Sequence, residues 1–294
     1  MDEVRAVNQR RVDQPQDYIV TVVTLLLYVG VLFAPFCFSW SGLILCFFLY
    51  CFSAMGVTLG YHRLLTHRSF KTYPVVRNVI AFAGASAFMG GPLTWVGIHR
   101  LHHAESDQDL DPHTPAHGFL WSHLTYIFRR DPADLEHWRF TKDLSKEPFM
   151  VFLERYQLLI FIANLSLLYL IGEAYSPAPF GAGLGWSWVI WGGLLRVVLV
   201  YNAAGAVNSF GHVFGYRNFE TKDSSRNLWW VAILTFGEGW HNNHHASQRL
   251  AAHGRRWFEL DPTYWCIRAL EMCGLAWNVS RPNPAVEGQA DSRT

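Results

Sequence analysis

Eight of the fourteen histidines in this 294-residue chain fall in three short clusters: His62-Arg-Leu-Leu-Thr-His67, His99-Arg-Leu-His102-His103 and His241-Asn-Asn-His244-His245. Neutral imidazole is a ligand for iron, copper or zinc, so the chemistry such clusters first suggest is metal binding. At this histidine content an H-x-x-H-H pattern is expected by chance about 0.03 times per chain; it is present twice. Positions i, i+3 and i+4 share one face of a helix. His99, His102 and His103 can therefore aim three rings one way, and so can His241, His244 and His245. His62 and His67 are five apart, about 140° round an α-helix. They serve one site only if the helix ends between them; otherwise they reach different metals. A structural zinc takes four ligands and usually includes cysteine, so eight histidines point to two metals. The bland alternative, interfacial or helix-capping histidines, suits a lone residue better than eight in three clusters. Glu238, three residues before His241, is a candidate to accept the second N–H of a metal-bound ring. Asp107, Asp109 and Asp111, just after the second cluster, are further supporting carboxylates. His113, His117, His123, His137 and His253 have no ligand spacing and read as surface or supporting groups.

Four apolar runs must position these rings, at about 18–38, 43–59, 149–171 and 186–207. A helix needs roughly 20 apolar residues to cross hydrocarbon, and the chain is 51% hydrophobic and 16% aromatic. A membrane-embedded helical domain over 18–280 follows, with 1–17 as a cytosolic segment and 281–294 as a disordered Pro/Gly/polar tail. The first run follows Arg5, Arg10 and Arg11, lacks a small-residue cleavage site and reads as a retained span. Of the 24 Lys and Arg, none lies in the turns at 39–42 and 176–185. Positive residues stay cytosolic, which puts both termini, the central segment and all three clusters on the cytosolic side, in a bacterial inner membrane or the endoplasmic reticulum. Arg196 falls inside the fourth run and must face the protein interior. The stretches 75–89 and 228–236 are interfacial or core helices of a cytosolic cap. Net charge +1 gives no case for nucleic acid. Five cysteines, an odd number without C-x-x-C, argue against a disulfide framework and fit reduced thiols.

The three boxes, the last within Gly237-Glu-Gly-Trp-His-Asn-Asn-His-His245, resemble those of the membrane-bound acyl desaturases of the stearoyl-CoA, delta-9 type. Asp111-Pro-His-Thr-Pro and Val207-Asn-Ser-Phe-Gly-His212 are similar to that family too, over about residues 20 to 275. The resemblance implies an all-α membrane protein: four transmembrane helices under a cytosolic helical cap that holds a di-iron centre. It implies metal ligands at His62, His67, His99, His102, His103, His212, His241, His244 and His245, with Asn208 acting through water. It places Trp95 at the bend of an acyl tunnel, and Arg129 and Arg130 near the substrate head group. Where animal acyl-CoA enzymes have Arg-Asp before the second box, this chain has Gly97-Ile98; where they have Thr-Trp ahead of the Asn, it has Ala204-Gly205.

The implied reaction is oxidative. With two Fe2+ ions and O2, two hydrogens leave adjacent methylenes of an acyl-CoA or acyl-lipid, giving a cis double bond and water. An unactivated methylene has no polar handle, so an apolar tunnel must set its position. No haem or flavin motif is visible, so electrons come from a separate ferredoxin, rubredoxin or cytochrome b type donor. A hydroxylase on the same scaffold is the rival enzyme. A metal transporter is a rival of another class, disfavoured because transporters hold ions near the bilayer midplane.

Overall fold

The first apolar run forms a shorter helix than its length suggests. In the computed structural model, which describes residues 16–108, 110–129 and 138–282, α1 covers Tyr18–Val31. Asp17 caps it by accepting from the backbone N–H groups of Ile19 and Val20. Leu32 and Phe33 leave it for a 3₁₀ turn, Ala34–Cys37, that carries Pro35, a residue that cannot continue an α-helix. The second run is longer than expected. Helix α2 spans Trp40–Thr66, 27 residues, and its last eleven, Gly56–Thr66, are π-wound. Helices α3 (Pro74–Ala85), α4 (Pro92–Glu105) and the short α5 (Phe119–His123) follow.

The third run breaks at Tyr156, whose φ of −106° and ψ of 18° leave the helical region. It yields α6 (Pro148–Arg155) and α7 (Gln157–Tyr175). Helix α8 spans Gly185–Val213, 29 residues. Then come α9 (Trp229–Leu234), α10 (His241–Ala246) and α11 (Pro262–Met272). The strands among the described residues are one two-residue pair, Lys71–Thr72 against Ala276–Trp277. Among the described residues α2, α7 and α8 are long and apolar enough to cross a membrane, and α1 and α3 are shorter apolar helices.

Polar side chains fix the ends of these elements. The Glu154 carboxylate accepts from the N–H groups of Leu93 and Thr94 and from the Thr94 hydroxyl. A charge near the start of the third run thus serves the electropositive N-terminus of α4, the helix that carries the second histidine box. Glu173 accepts from Gly181, Gly183 and Gly185 N–H groups and so builds the turn between α7 and α8. Arg196 is buried, as expected, and donates to the carbonyls of Gly192 and Ser86. Helices α2 and α3 approach so closely that a Cβ on Gly56 would stand 2.1 Å from the Gly84 nitrogen. Any side chain there would push α3 off the π-wound end of α2. Beside that crossing, Tyr61, Phe70, Val96, Met150, Leu153 and Ile267 form the fully buried centre of the main core.

Candidate metal centre

Nine imidazoles converge in two groups, within each of which one ligand atom per residue lies within 4.8 Å of the others. The first holds His62, His67, His99, His103 and His244; the second holds His102, His212, His241 and His245. In the first, Nε2 of His244 is 3.1 Å from that of His62 and 2.9 Å from that of His103, which is 3.0 Å from that of His99. In the second, the Nε2 pairs His212–His241 and His102–His245 stand 3.0 and 3.4 Å apart. These rings come from α2, α4, α8 and α10, distant in sequence and joined at one buried place.

The π-winding resolves the five-residue spacing of the first box. An i→i+5 turn returns the chain to about the same azimuth after five residues. The His67 N–H donates to the His62 carbonyl at 3.1 Å. The two ring centroids are 4.7 Å apart, in one group. Neither a helix end between the two histidines nor separate groups is needed.

Carboxylates stand behind the rings. His102 Nδ1 meets Asp111 at 3.0 Å, and His245 Nδ1 meets Asp223 at 2.9 Å. His212 Nδ1 lies 3.2 Å from Asp107, and His62 Nδ1 lies 2.6 Å from Glu238. Glu238 also accepts from Arg63, which donates as well to Asp261 and to the Ala251 carbonyl. Gly237, at φ 115°, turns the chain into this corner, where a Cβ would strike Asp261 at 2.4 Å. Burial alone would raise the Asp111 and Asp223 carboxyls. Their histidine partners outweigh it and hold both well below the usual carboxylate range.

This donor set fits cations. A ring that gives Nδ1–H to a carboxylate keeps a bare lone pair on Nε2. His102 and His245, each with Nδ1 on a carboxylate, point Nε2 at each other at 3.4 Å; two bare lone pairs at that distance would repel unless a cation sat between them. Ligands about 2.1 Å from one ion stand about 3.0 Å apart at right angles and about 3.4 Å apart at the tetrahedral angle, which is the spread observed. Burial, and then repulsion from neighbouring rings, holds His99, His103, His241 and His244 well below the usual imidazole range. They are neutral at pH 7 and free to ligate.

A cavity of about 490 Å³ runs along the first group and reaches the second, with His62, His99 and His241 in its wall. Trp95 lines it, stacked on His99 with centroids 5.0 Å apart. Asn208 lines it too, as does Arg129, while Arg130, Asp109 and His137 lie outside the described residues. Sequence spacing missed Asp223 and named Asp107 and His253 as supports without their partners. Asp223 lies eighteen residues before the third box. Asp107 serves His212, which only the family resemblance had flagged. His253, read as a surface or supporting group, is buried with its ring 4.4 Å from that of His244. Its Nδ1 lies 3.1 Å from Glu238. His113 is likewise buried, 4.3 Å from the ring of His102.

The chain is similar to known proteins. A family model described as fatty acid desaturase matches residues 38–278. The chain is 44% identical over 270 residues to an sn-1 stearoyl-lipid 9-desaturase of Anabaena variabilis, covering 90% of this chain and 95% of that one. It is 42% identical to an sn-2 palmitoyl-lipid 9-desaturase of Nostoc sp. (strain 36), covering 96% and 98%. It is 39% identical to an acyl-CoA C20 Delta5-desaturase of Anemone leveillei, covering 87% and 80%. With a family match over most of its length, on the segment that carries all nine converging rings, this chain belongs to the fatty acid desaturase family.

Proposed function

We propose that this desaturase inserts a cis double bond, at the Δ9 position, into the saturated chain of an acyl-lipid or acyl-CoA. It uses two Fe2+ ions, O2 and electrons from a separate ferredoxin, rubredoxin or cytochrome b type donor. The observation that carries the reading is the convergence of nine imidazoles, seven of them buried and His99 and His103 half-buried, Nε2 atoms inward, on the wall of an apolar cavity. The names of the relatives at 44% and 42% identity support the Δ9 position.

His62, His67, His99, His103 and His244 would hold one ion. His102, His212, His241 and His245 would hold the other, with Asn208 acting through a water. When bound, the pair supplies the reduction of O2 to two waters, drawing on two external electrons, two protons and the two hydrogens lost by adjacent methylenes. The chain's own part is placement. Asp111, Asp223, Asp107 and Glu238 hold rings in the tautomer that leaves Nε2 bare. Tyr50, Ala54, Val57, Phe88 and Val200 give the cavity an apolar wall that excludes water and leaves an acyl chain few ways to lie. Trp95, packed on His99, fixes the wall at the rings. Arg129, and Arg130 beside it in sequence, would meet the head group.

The four apolar helices α1, α2, α7 and α8 are the proposed spans of one membrane domain over 18–280. The remaining helices form a cap, and the termini and metal centre face the cytosol. The chain's Lys and Arg distribution supports this orientation. The test is expression in a bacterium together with a donor, followed by fatty acid profiling and elemental analysis of the purified protein. New Δ9 monoenes and about two irons per chain are expected. Hydroxy acids without monoenes would replace the reading with a hydroxylase, and an unchanged profile with metal-dependent growth would replace it with transport.

A further inference from the structure

The cavity is not closed, and the residues that both line it and lie exposed on the protein surface mark its openings. Four do so: Ile19 (70% exposed) and Val20 (38%) on α1, Leu158 (54%) at the start of α7, and Leu234 (47%) on α9. Three of the four therefore gather where the N-terminal ends of α1 and α7 meet the cavity. Both helices continue with exposed apolar side chains, Val22, Leu25 and Leu26 on α1, Leu159 and Ile162 on α7. In a membrane protein this surface faces lipid. The slot between the helices therefore opens sideways into the bilayer.

Its rim is polar. Asp17, Arg129 and Gln157 line the cavity at the same end. The rim is tied together by a Gln16–Arg129 backbone bridge and by the Asp17 N–H donating to the Phe128 carbonyl at 2.8 Å. At the Leu234 end the Tyr50 hydroxyl donates to the Leu234 carbonyl at 2.6 Å, beside the apolar side chains of Ala54 and Val57. The polar end suits an ester and head group, and the apolar end suits the methyl terminus of a chain.

Resting on the acyl desaturase reading, we infer that this slot is a lateral portal through which the acyl chain of a membrane glycerolipid enters from its own leaflet. Ile19, Val20 and Leu158 are its lips; Arg129 and Gln157 stand at the level of the ester and head group. A chain already in hydrocarbon slides between apolar lips without crossing water, so no hydrophobic transfer is undone. An acyl-CoA must instead bring its chain out of water and leave several phosphate charges at a rim where Arg129 is the one Lys or Arg among the described lining residues.

The test uses membranes from cells expressing the full chain and supplied with its reduced donor. They receive either vesicles of deuterated distearoyl glycerolipid or deuterated stearoyl-CoA. The expected result is deuterated monoene on the intact glycerolipid and little from the thioester. Val20→Trp and Leu158→Trp, plugging the slot from opposite helices, are each expected to lower glycerolipid conversion at least tenfold with iron content unchanged. Leu159→Trp, on the adjacent exposed position outside the cavity lining, is expected to convert as the unaltered chain does. Monoene formed from the thioester alone overturns the portal, as does full conversion by both plugged variants. If the unaltered chain makes no monoene from either substrate, the desaturase reading itself falls, and the portal with it.

Discussion

The two groups of rings are held by different means. In the four-ring group, three rings have Nδ1 on or beside a carboxylate: His102 with Asp111, His212 with Asp107, His245 with Asp223. In the five-ring group, among the described residues, only His62 does, and its Glu238 is shared with Arg63. There the rings brace one another: His67 has His62, His99, His103 and His244 with centroids 4.6 to 5.4 Å away. Fewer rings go with more anionic support. A carboxylate on Nδ1 fixes ring orientation and raises the basicity of Nε2, so the smaller group can offer comparable donor strength with one nitrogen fewer.

Removing one ring from each group should have the largest effect. His244→Ala and His102→Ala are each expected to abolish monoene formation. Each should also lower iron by about one per chain, because each group has its own donors. Iron analysis of the two purified variants checks this. If either change empties both positions, the groups are one cooperative site and the contrast drawn between them fails.

The supporting carboxylates should separate the groups more finely. Asp223→Asn and Glu238→Gln each disturb one ring of the two groups, Glu238→Gln also touching His253, and losses of about 10 to 100-fold in metal affinity are expected for such groups. Glu238, however, also neutralises Arg63, which is wholly buried. Breaking a buried pair costs about 3–5 kcal/mol, moderated here because Asp261 still reaches the guanidinium. Glu238→Gln should therefore lower the unfolding midpoint in detergent as well as iron, and Asp223→Asn chiefly iron. Equal midpoints for the two variants would refute the assignment of Glu238 to both tasks.

The sequence disclosed local pattern and hid what depends on convergence. The second and third boxes were legible because i, i+3, i+4 is a property of one helix. The partnership of His62 and His67 was not, since it depends on π-winding that no residue spacing announces. His212 carries no neighbouring histidine and was flagged only by family resemblance. Asp223, eighteen residues before the third box, and His253, eight residues after it, reach the rings through contacts that no spacing announces. The apolar runs gave α2, α7 and α8, but periodicity did not foresee the end of α1 before Pro35 or the break at Tyr156. Glu154 read as a charge at the edge of a span, whereas it caps a helix about sixty residues earlier, a tertiary contact invisible to local reasoning.

Acid should act through buried rings on both sides of the comparison. Burial, the largest cause, lowers His245 to about 4 despite Asp223, and lowers His253 to about 4 despite Glu238. In the unfolded chain both titrate near 6.5. Between about pH 6.5 and about pH 4 the unfolded chain takes up protons that the folded chain refuses. Stability is thus full above that window and falls on acidification through it. The metal-free protein should show this as a falling midpoint in thermal unfolding from pH 7.5 to 5. His253→Phe, beside the five-ring group, should flatten the slope, and a slope unchanged by it would remove His253 from the account.

The smallest effect is expected at Asp143. It bonds Arg100 at 2.8 Å and Arg68 at 2.6 Å, with its own side chain one-third exposed. Arg100 stands between His99 and His102 and donates to the Leu65 and Thr66 carbonyls, tying α4 to the π-wound end of α2. Burial would raise the Asp143 carboxyl, but the two guanidiniums bring it down to about 2. Its contribution is present above about pH 4 and fades as pH falls toward 2. Solvent screening keeps such a pair within about 1 kcal/mol, and Arg100 retains its carbonyl acceptors when Asp143 is lost. Asp143→Asn should therefore shift the unfolding midpoint slightly and leave iron content and monoene yield within about twofold. Loss of iron from this variant would mean that the five-ring group hangs on a surface ion pair rather than on ring packing, and the distinction between carboxylate-held and packing-held rings would have to be abandoned.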